Sequence, residues 1–345
     1  MFFIRLLIWP FSLAYGSVLF LRNSLYDLNV FKTYNLKIPV LSVGNLSVGG
    51  TGKTPHVAYI ANLTKDNVKT AILLRGYGRN TKGFLLVSEN APVNTVGDEA
   101  LFYKKIFQSK LVVAVCEDRV KGIEKLKKLY PELGLVILDD AFQHRKIHRN
   151  FNIMLMDFNK PYWNDMVLPA GRLREFPSGK KRADLIIVTK TPENLPSQTK
   201  EKIINKIAAG PNQKLLFSSI KYGALIGFNS ELVKVPDQIL LVTGIANPQP
   251  LYEHLSKFAN VKHKIYDDHY DFTEADIKEI HELFDTFAEG NSVIVTTQKD
   301  FMRLNTPKIK KITHEYPWFY QEISVAFNDE EEFKDLIEKT YVRNV

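Results

Sequence analysis

Short apolar runs, continuous rather than alternating, recur between Ile38 and about Lys190. They are Val40–Val43, Ala71–Leu74, Leu111–Val115, Leu135–Leu138, Ile153–Met156 and Leu185–Val188. Strands covered on both faces of a parallel sheet read this way, because neither face is left for polar residues. Helical patterns at Lys53–Lys65, Asp98–Phe107 and Val120–Tyr130 fall between them. This alternation predicts an α/β protein built on a doubly wound parallel sheet domain over residues 31–210. Punctuation then thickens at Gly210-Pro211, Tyr222-Gly223 and Val235-Pro236, and residues 211–235 read as a connection between lobes. A second, smaller α/β lobe is expected over 236–345. Its strands would be Ile239–Thr243, Lys262–Tyr266 and Val293–Thr296, and its helices Leu251–Phe258 and Glu274–Phe287, with a closing helix at Glu330–Tyr341. Thr273 with Asp276 is a plausible cap for the second of those helices.

Residues 1–30 stand apart, being mostly apolar from Phe2 to Leu21 with Arg5 and Pro10 as interruptions. The length is borderline for a spanning helix, which wants about 20 apolar residues. No small-residue cleavage site follows, which argues against a signal peptide. At roughly 100° per residue, Arg5, Ser12, Gly16 and Asn23 fall near one line, leaving a narrow polar stripe beside a broad apolar face. Such a helix suits the bilayer interface, with Trp9 and Arg5 as anchors; a buried core helix and a spanning helix are the alternatives.

Charge narrows the partners. The 46 Lys+Arg against 38 Asp+Glu leave a formal charge of +8, which favours nucleotide phosphates, phospholipid headgroups or nucleic acid. No nucleic-acid recognition motif accompanies it. Cys116 is the only cysteine, so there is no intrachain disulfide and a reducing compartment is expected.

The chemistry is concentrated after the first apolar run. Gly49-Gly50-Thr51-Gly52-Lys53-Thr54 follows a strand and opens a helix, the setting of a phosphate-binding loop. Glycines let the backbone curl round phosphate oxygens. Lys53 would reach the β- and γ-phosphates, and Thr54 would place its hydroxyl on Mg²⁺. The strict pattern asks for glycine at position 47, where this chain has Ser47. Leu135–Leu138 ends in Asp139-Asp140, a carboxylate pair placed to hold the metal beyond the strand's carboxyl end. Three kinds of activity remain open. A dimeric ATPase of the MinD type wants a lysine where Val48 stands. A GTPase wants Asn-Lys-x-Asp, of which Thr189-Lys190 and Thr297-Gln298-Lys299-Asp300 are loose echoes. A kinase wants a base near the γ-phosphate, for which Asp98 and His269 are candidates. A nucleotide switch that recruits a partner to the membrane is the non-enzyme rival. Arg75, Arg79, Arg172 and Arg174 suit phosphate contact through their planar forks.

Read together, Gly44-Asn45, Gly49–Pro55, Arg75-Gly76-Tyr77-Gly78, Gly97-Asp98-Glu99 and Asp139-Asp140-Ala141-Phe142-Gln143-His144 resemble the lipid A disaccharide 4′-kinase (tetraacyldisaccharide 4′-kinase) family. Leu168–Glu175, Thr243–Pro248, Asp268-His269 and Lys299-Asp300 continue in the same order, so the resemblance covers nearly the whole chain. Ala141 departs from an expected glycine. The resemblance implies transfer of the ATP γ-phosphate to the 4′-hydroxyl of a tetraacylated glucosamine disaccharide 1-phosphate, forming lipid IVA at the cytoplasmic face of the bacterial inner membrane. It implies Asp98 as base assisted by His269, with Lys53 on the phosphates. ATP would lie against Gly49, Gly50, Thr51, Gly52, Lys53, Thr54 and Pro55. Mg²⁺ would lie on Thr54, Asp139 and Asp140. The N-terminal helix would help dock the acyl chains, and no obligate protein partner is implied.

Overall fold

Twelve strands pair edge to edge among the described residues of the computed structural model, which are 2–228, 234–268, 270–287, 290–304 and 306–342. In chain order they are β1 Val40–Asn45, β2 Thr70–Leu74, β3 Leu85–Leu86, β4 Val112–Val115, β5 Leu135–Asp139, β6 Phe151–Asp157, β7 Leu185–Thr189, β8 Lys214–Gly227, β9 Gln238–Thr243, β10 Asn260–Ile265, β11 Ser292–Thr297 and β12 Trp318–Phe327. The helices are α1 Phe2–Asp27, α2 Lys53–Thr64, α3 Val93–Val96, α4 Asp98–Phe107, α5 Arg119–Leu129, α6 Ser197–Ile207, α7 Gln249–Leu255, α8 Glu274–Asp285, α9 Gln298–Leu304, α10 Pro307–Thr313 and α11 Glu330–Val342.

Across the sheet the order is β10-β9-β11-β12-β8-β7-β6-β1-β5-β2-β4-β3. Every neighbouring pair is parallel except β8 with β12 and β3 with β4. The expected class is therefore found: mixed α/β with a large, mostly parallel sheet. The continuous apolar runs are the buried strands, since β2, β4, β5 and β7 bury every residue. The chain leaves β1 towards β2 and β4, returns to β5, then crosses to β6 on the other side of β1. A sheet binds ligand where its order reverses in this manner, beyond the carboxyl ends of the strands.

The segment expected as a connection holds β8, a 14-residue strand. Its first residues, Lys214–Phe217, pair with β7 and the rest, from Ser218 to Gly227, with β12. The second half of the chain is thus joined to the first through sheet hydrogen bonds as well as a connecting segment. The closing helix, α11, packs against α2. Phe333 and Ile337 are buried in the same cluster as Val57 and Ile60. Phe333 stacks on Phe327 at 4.0 Å with 12° between the rings, and the Tyr59 hydroxyl donates to Glu330 at 2.7 Å. Thr273 and Asp276 form a full capping box on α8.

The N-terminal helix is docked with its polar stripe inward. Ser12 is buried and its hydroxyl accepts the Ala170 N–H at 2.8 Å. A Cβ on Gly16 would lie 2.5 Å from the Phe176 ring, so only glycine allows this approach. Asn23 donates to Glu175 at 2.7 Å. The apolar side faces outward: Phe11 and Val18 are each 67% exposed and Leu21 62%. Over the side chains described it is not a core helix. No helix among the described residues is long and apolar enough to cross a membrane.

Phe333→Ala removes a ring buried between α2, β12 and α11, so it should cost about 3–5 kcal/mol of stability. Chemical denaturation checks this; a loss below about 1 kcal/mol would mean that α11 is not part of the α2 core.

Candidate active site

The turn from β1 into α2 is open where a ligand would enter. Gly49 and Gly52 take positive φ of 106° and 86°, conformations that favour glycine. A Cβ at Gly49 or Gly50 would meet nothing within 4 Å. Gly52 caps α2 in the left-handed region without a side-chain cap, and Pro55 sits in the first turn, where no N–H is needed. Among the described residues, the N–H groups of Gly50, Gly52, Lys53 and Thr54 find no acceptor. Free donors at a helix N-terminus suit an oxyanion. Ser47 fits its place because that part of the loop is extended. Ser47 bridges Leu173 antiparallel, Val48 N–H donates to Arg172 O at 2.8 Å, and Arg174 N–H donates to Leu46 O at 2.7 Å.

The loop's outer side is held by the ends of β6 and β7. Thr189 Oγ1 donates to Thr51 O at 2.9 Å. Lys190, at φ 58°, donates to Gly50 O and, at 2.7 Å, to Asp157. The echo of a guanine motif in Thr189-Lys190 is therefore a brace for the turn. Behind it, the buried His56 ring contacts Gly52 O at 2.7 Å through Nδ1 and Ser218 Oγ at 2.9 Å through Nε2. Burial, opposed by the Gly52 bond, lowers its pKa to about 4, so it is neutral.

Asp139 and Asp140 lie beside this turn in different states. Asp140 takes both forks of Arg174, at 2.7 and 2.9 Å, and has Lys53 Nζ at 3.7 Å. Burial pushes its pKa up, but Lys53 and then Arg174 outweigh that and hold it below the ordinary range. Asp139 is buried and accepts the Tyr103 hydroxyl at 2.8 Å through Oδ2. Its Oδ1 is buried with no partner. Burial first, then Glu99, raises its pKa to about 7 against the pull of Lys53. An orphaned carboxylate oxygen near the Thr54 end of α2 fits a divalent cation. Among the described residues no group of three or more His, Cys, Asp or Glu could hold a metal. Oxygen donors of this kind, a carboxylate and a threonine hydroxyl, are those a hard cation such as Mg²⁺ takes together with waters and phosphate oxygens.

Asp98 opens α4 after Gly97, whose φ is 88°. Asp98, Glu99, Thr54 and Lys299 line one small cleft. Arg303 donates to Asp98 at 2.7 Å. His269 lies outside the described residues. Of the four arginines, Arg174 is in the site, on Asp140. Arg172 is half-exposed and bonded to Asp165 at 2.7 Å. Arg75 is exposed on the loop after β2. Arg79 is turned away into Glu117 and the Gly83 carbonyl, each at 2.6 Å. Arg119, buried at the start of α5, was not among the expected site residues. Its pKa falls to about 10 through burial and then Arg75, while Asp140 and Asp139 oppose the shift. A lone arginine in an amphipathic helix carries no signal of this in the sequence.

Glu175 ties these parts together. It is buried and accepts from Asn23 at 2.7 Å, Gln143 at 3.0 Å and Arg182 at 2.7 Å. Gln143 also donates to Asn45 O at 2.8 Å, at the end of β1. One carboxylate thus joins α1, the loop after β5 and the strand that feeds the glycine turn.

The sequence profile of the Tetraacyldisaccharide-1-P 4′-kinase family matches residues 4–342. The Tetraacyldisaccharide 4′-kinase of Cytophaga hutchinsonii is 40% identical over 343 residues, covering 98% of this chain and 96% of that one. Its namesake in Flavobacterium psychrophilum is 38% identical over 339 residues, covering 96% and 95%. A crystal structure of LpxK from Aquifex aeolicus in complex with ATP superposes with a TM-score of 0.76 at 31% identity, covering 98% of this chain and 99% of that one.

The raised Asp139 pKa fixes a sign. A carboxyl raised in the fold contributes stability that is fully present below its unfolded value near 4, and that contribution is lost as pH rises through about 7. The ligand-free protein should therefore lose melting temperature between pH 5 and 8, and Asp139→Asn should flatten that part of the profile. Identical slopes in the two proteins would show that Asp139 titrates normally.

Proposed function

The chain belongs to the tetraacyldisaccharide-1-P 4′-kinase family, and on that premise we propose how its residues divide the work. The reaction moves the γ-phosphate of ATP to the 4′-hydroxyl of a tetraacylated glucosamine disaccharide 1-phosphate, giving lipid IVA in lipid A biosynthesis. The observation that carries the assignment is the set of unclaimed N–H groups at Gly50, Gly52, Lys53 and Thr54 beside the unpartnered Asp139 oxygen.

In this reading the triphosphate lies in the turn over Gly49–Thr54, with Pro55 setting the first helical turn behind it. Lys53 leaves Asp140 for the β- and γ-oxygens; its 3.7 Å separation from Asp140 makes this a weak contact to give up. Thr54, Asp139 and Asp140 would hold Mg²⁺, which when bound would supply positive charge against the phosphates. Asp98 accepts the proton of the 4′-hydroxyl as its oxygen bonds to phosphorus and the bond to the ADP oxygen breaks, with His269 assisting. Arg174 stays on Asp140 and orients it. Arg172 and Arg75 face the anionic acceptor, and Arg79 holds the Arg75 loop in place through Glu117. Residues 31–210 and 236–345 act as two lobes joined through residues 211–235.

The inside-out helix supports a membrane reading. Its polar stripe is satisfied by Ala170 and Glu175, so the apolar face needs another apolar medium. Trp9, Phe11, Val18, Phe20 and Leu21 would enter the interface of the cytoplasmic leaflet of the inner membrane. There the acyl chains of the acceptor would lie alongside the site.

Incubation with γ-labelled ATP and the disaccharide 1-phosphate lipid should put label in the lipid phase. Lys53→Ala should lower that rate at least about 10²-fold without unfolding the chain; undiminished transfer would remove the glycine turn from the mechanism. Replacing Phe11, Val18 and Leu21 together by Gln should abolish binding to anionic vesicles. It should leave stability within about 0.5 kcal/mol per site, since all three are exposed. Unchanged vesicle binding would rule out this face as the docking surface.

A further inference from the structure

The second half of the chain reaches the first at Asp98 itself. α9 packs on α4, and two of its cations meet the two acids that open α4. Arg303 Nη2 donates to Asp98 Oδ2 at 2.7 Å, and Lys299 Nζ lies 3.5 Å from Glu99. The other acid oxygen, Asp98 Oδ1, accepts the Glu99 N–H at 2.9 Å. The first contact is well shielded, with the Arg303 and Asp98 side chains only 5% and 18% exposed.

Arg303 is itself held from behind. Its Nη1 donates to Asp300 Oδ1 at 2.9 Å and to Gly244 O at 3.2 Å. Asp300 is fully buried, and its Oδ2 accepts from Gly244 N–H at 3.0 Å and Thr297 Oγ1 at 2.7 Å. A rigid chain therefore runs from the ends of β9 and β11 through Asp300 and Arg303 to Asp98. A shielded arginine between two carboxylates is costly to desolvate unless both contacts form. α9 should accordingly seat fully only when Asp98 is in place, and the converse holds equally.

We propose that Arg303 is a positioning residue for the transfer reaction: it fixes the Asp98 carboxylate and makes its alignment depend on the second half of the chain. The proposal rests on the reading of Asp98 as base. Arg303 holds that carboxylate in one orientation through the 2.7 Å contact, so α9 helps set the position from which it meets the acceptor hydroxyl. Turnover is what this controls; the nucleotide contacts at Gly49–Thr54 lie on other elements.

The test uses the full chain with Asp98→Asn, Arg303→Met, Arg303→Lys and the double variant Asp98→Asn/Arg303→Met. Lipid phosphorylation is measured at saturating ATP, with ATP affinity and melting temperature alongside. Arg303→Met should lower kcat about 10²-fold, the scale of an ångström-sized misplacement, with ATP affinity within about twofold of the parent. Arg303→Lys should recover part of the rate. In the Asp98→Asn background the Arg303 change should cost less than about threefold, because residues acting as a unit are not additive. Parent-like turnover in Arg303→Met, or the full loss repeated on top of Asp98→Asn, would overturn the proposal. An active Asp98→Asn would instead remove the base assignment beneath it. Should Arg303→Met fail to fold, Arg303→Lys in the two backgrounds gives the same comparison: a slower kcat with Asp98 present and none without it.

Discussion

Two carboxylates at the end of a strand whose every residue is buried set the terms for this site. Carrying Asp139 and Asp140 out of water is expensive unless charge or hydrogen bonds answer them. The fold answers them unequally. Asp140 receives Lys53 and the two forks of Arg174 and stays ionised. Asp139 receives one tyrosine hydroxyl, keeps an oxygen with no partner and sits near neutrality. Asp140 has charged partners already and Asp139 has an oxygen without one, and the proposed cation site beside the uncapped N-terminus of α2 rests on that difference. The electrostatics, more than the glycine pattern, mark this turn as a site and not merely a strand–helix corner.

The same economy explains the N-terminal helix. A helix that lies on a soluble domain usually turns its apolar stripe inward; α1 does the opposite because Ser12, Gly16 and Asn23 match what lies beneath it. Gly16 admits the Phe176 ring, and Asn23 shares Glu175 with Gln143 and Arg182. Glu175 accepts from Asn23 on α1 and from Gln143 in the loop after β5, so the docking of α1 and the position of that loop are set together. The exposed apolar face of α1 and the glycine turn after β1 are thereby held in one register.

Much of this was legible in the sequence because it rests on local rules. The six apolar runs became β1, β2, β4, β5, β6 and β7 within two residues at each end, and the Asp98–Phe107 helix was found over that span. Ser12, Gly16 and Asn23 of the polar stripe do share one side of α1, but which way that side faces depends on the distant Glu175 and Phe176. Non-local contacts account for the other omissions. The β8–β12 pairing joins residues about a hundred positions apart. α11 closes the core of the first half although it follows the second. Arg79 looks like a phosphate ligand until Glu117 is seen to hold it. Lys190 looks like a fragment of a nucleobase motif until the Gly50 carbonyl is found against it.

These non-local contacts are also what makes one machine of the two halves. The antiparallel β8–β12 seam carries the His56–Ser218 contact, so the residue four places after the cap of α2 is fixed by the joining strand. Tyr59 and Phe333 extend that seam onto the outer face of α2. Across the site, α9 reaches Asp98 and Glu99 on α4. The helix bearing Lys53 and the helix bearing Asp98 are each gripped by the second half from a different side. A shift of that half would therefore disturb α2 through His56 and Tyr59 and α4 through Asp98 and Glu99 together, because its contacts to both helices are direct.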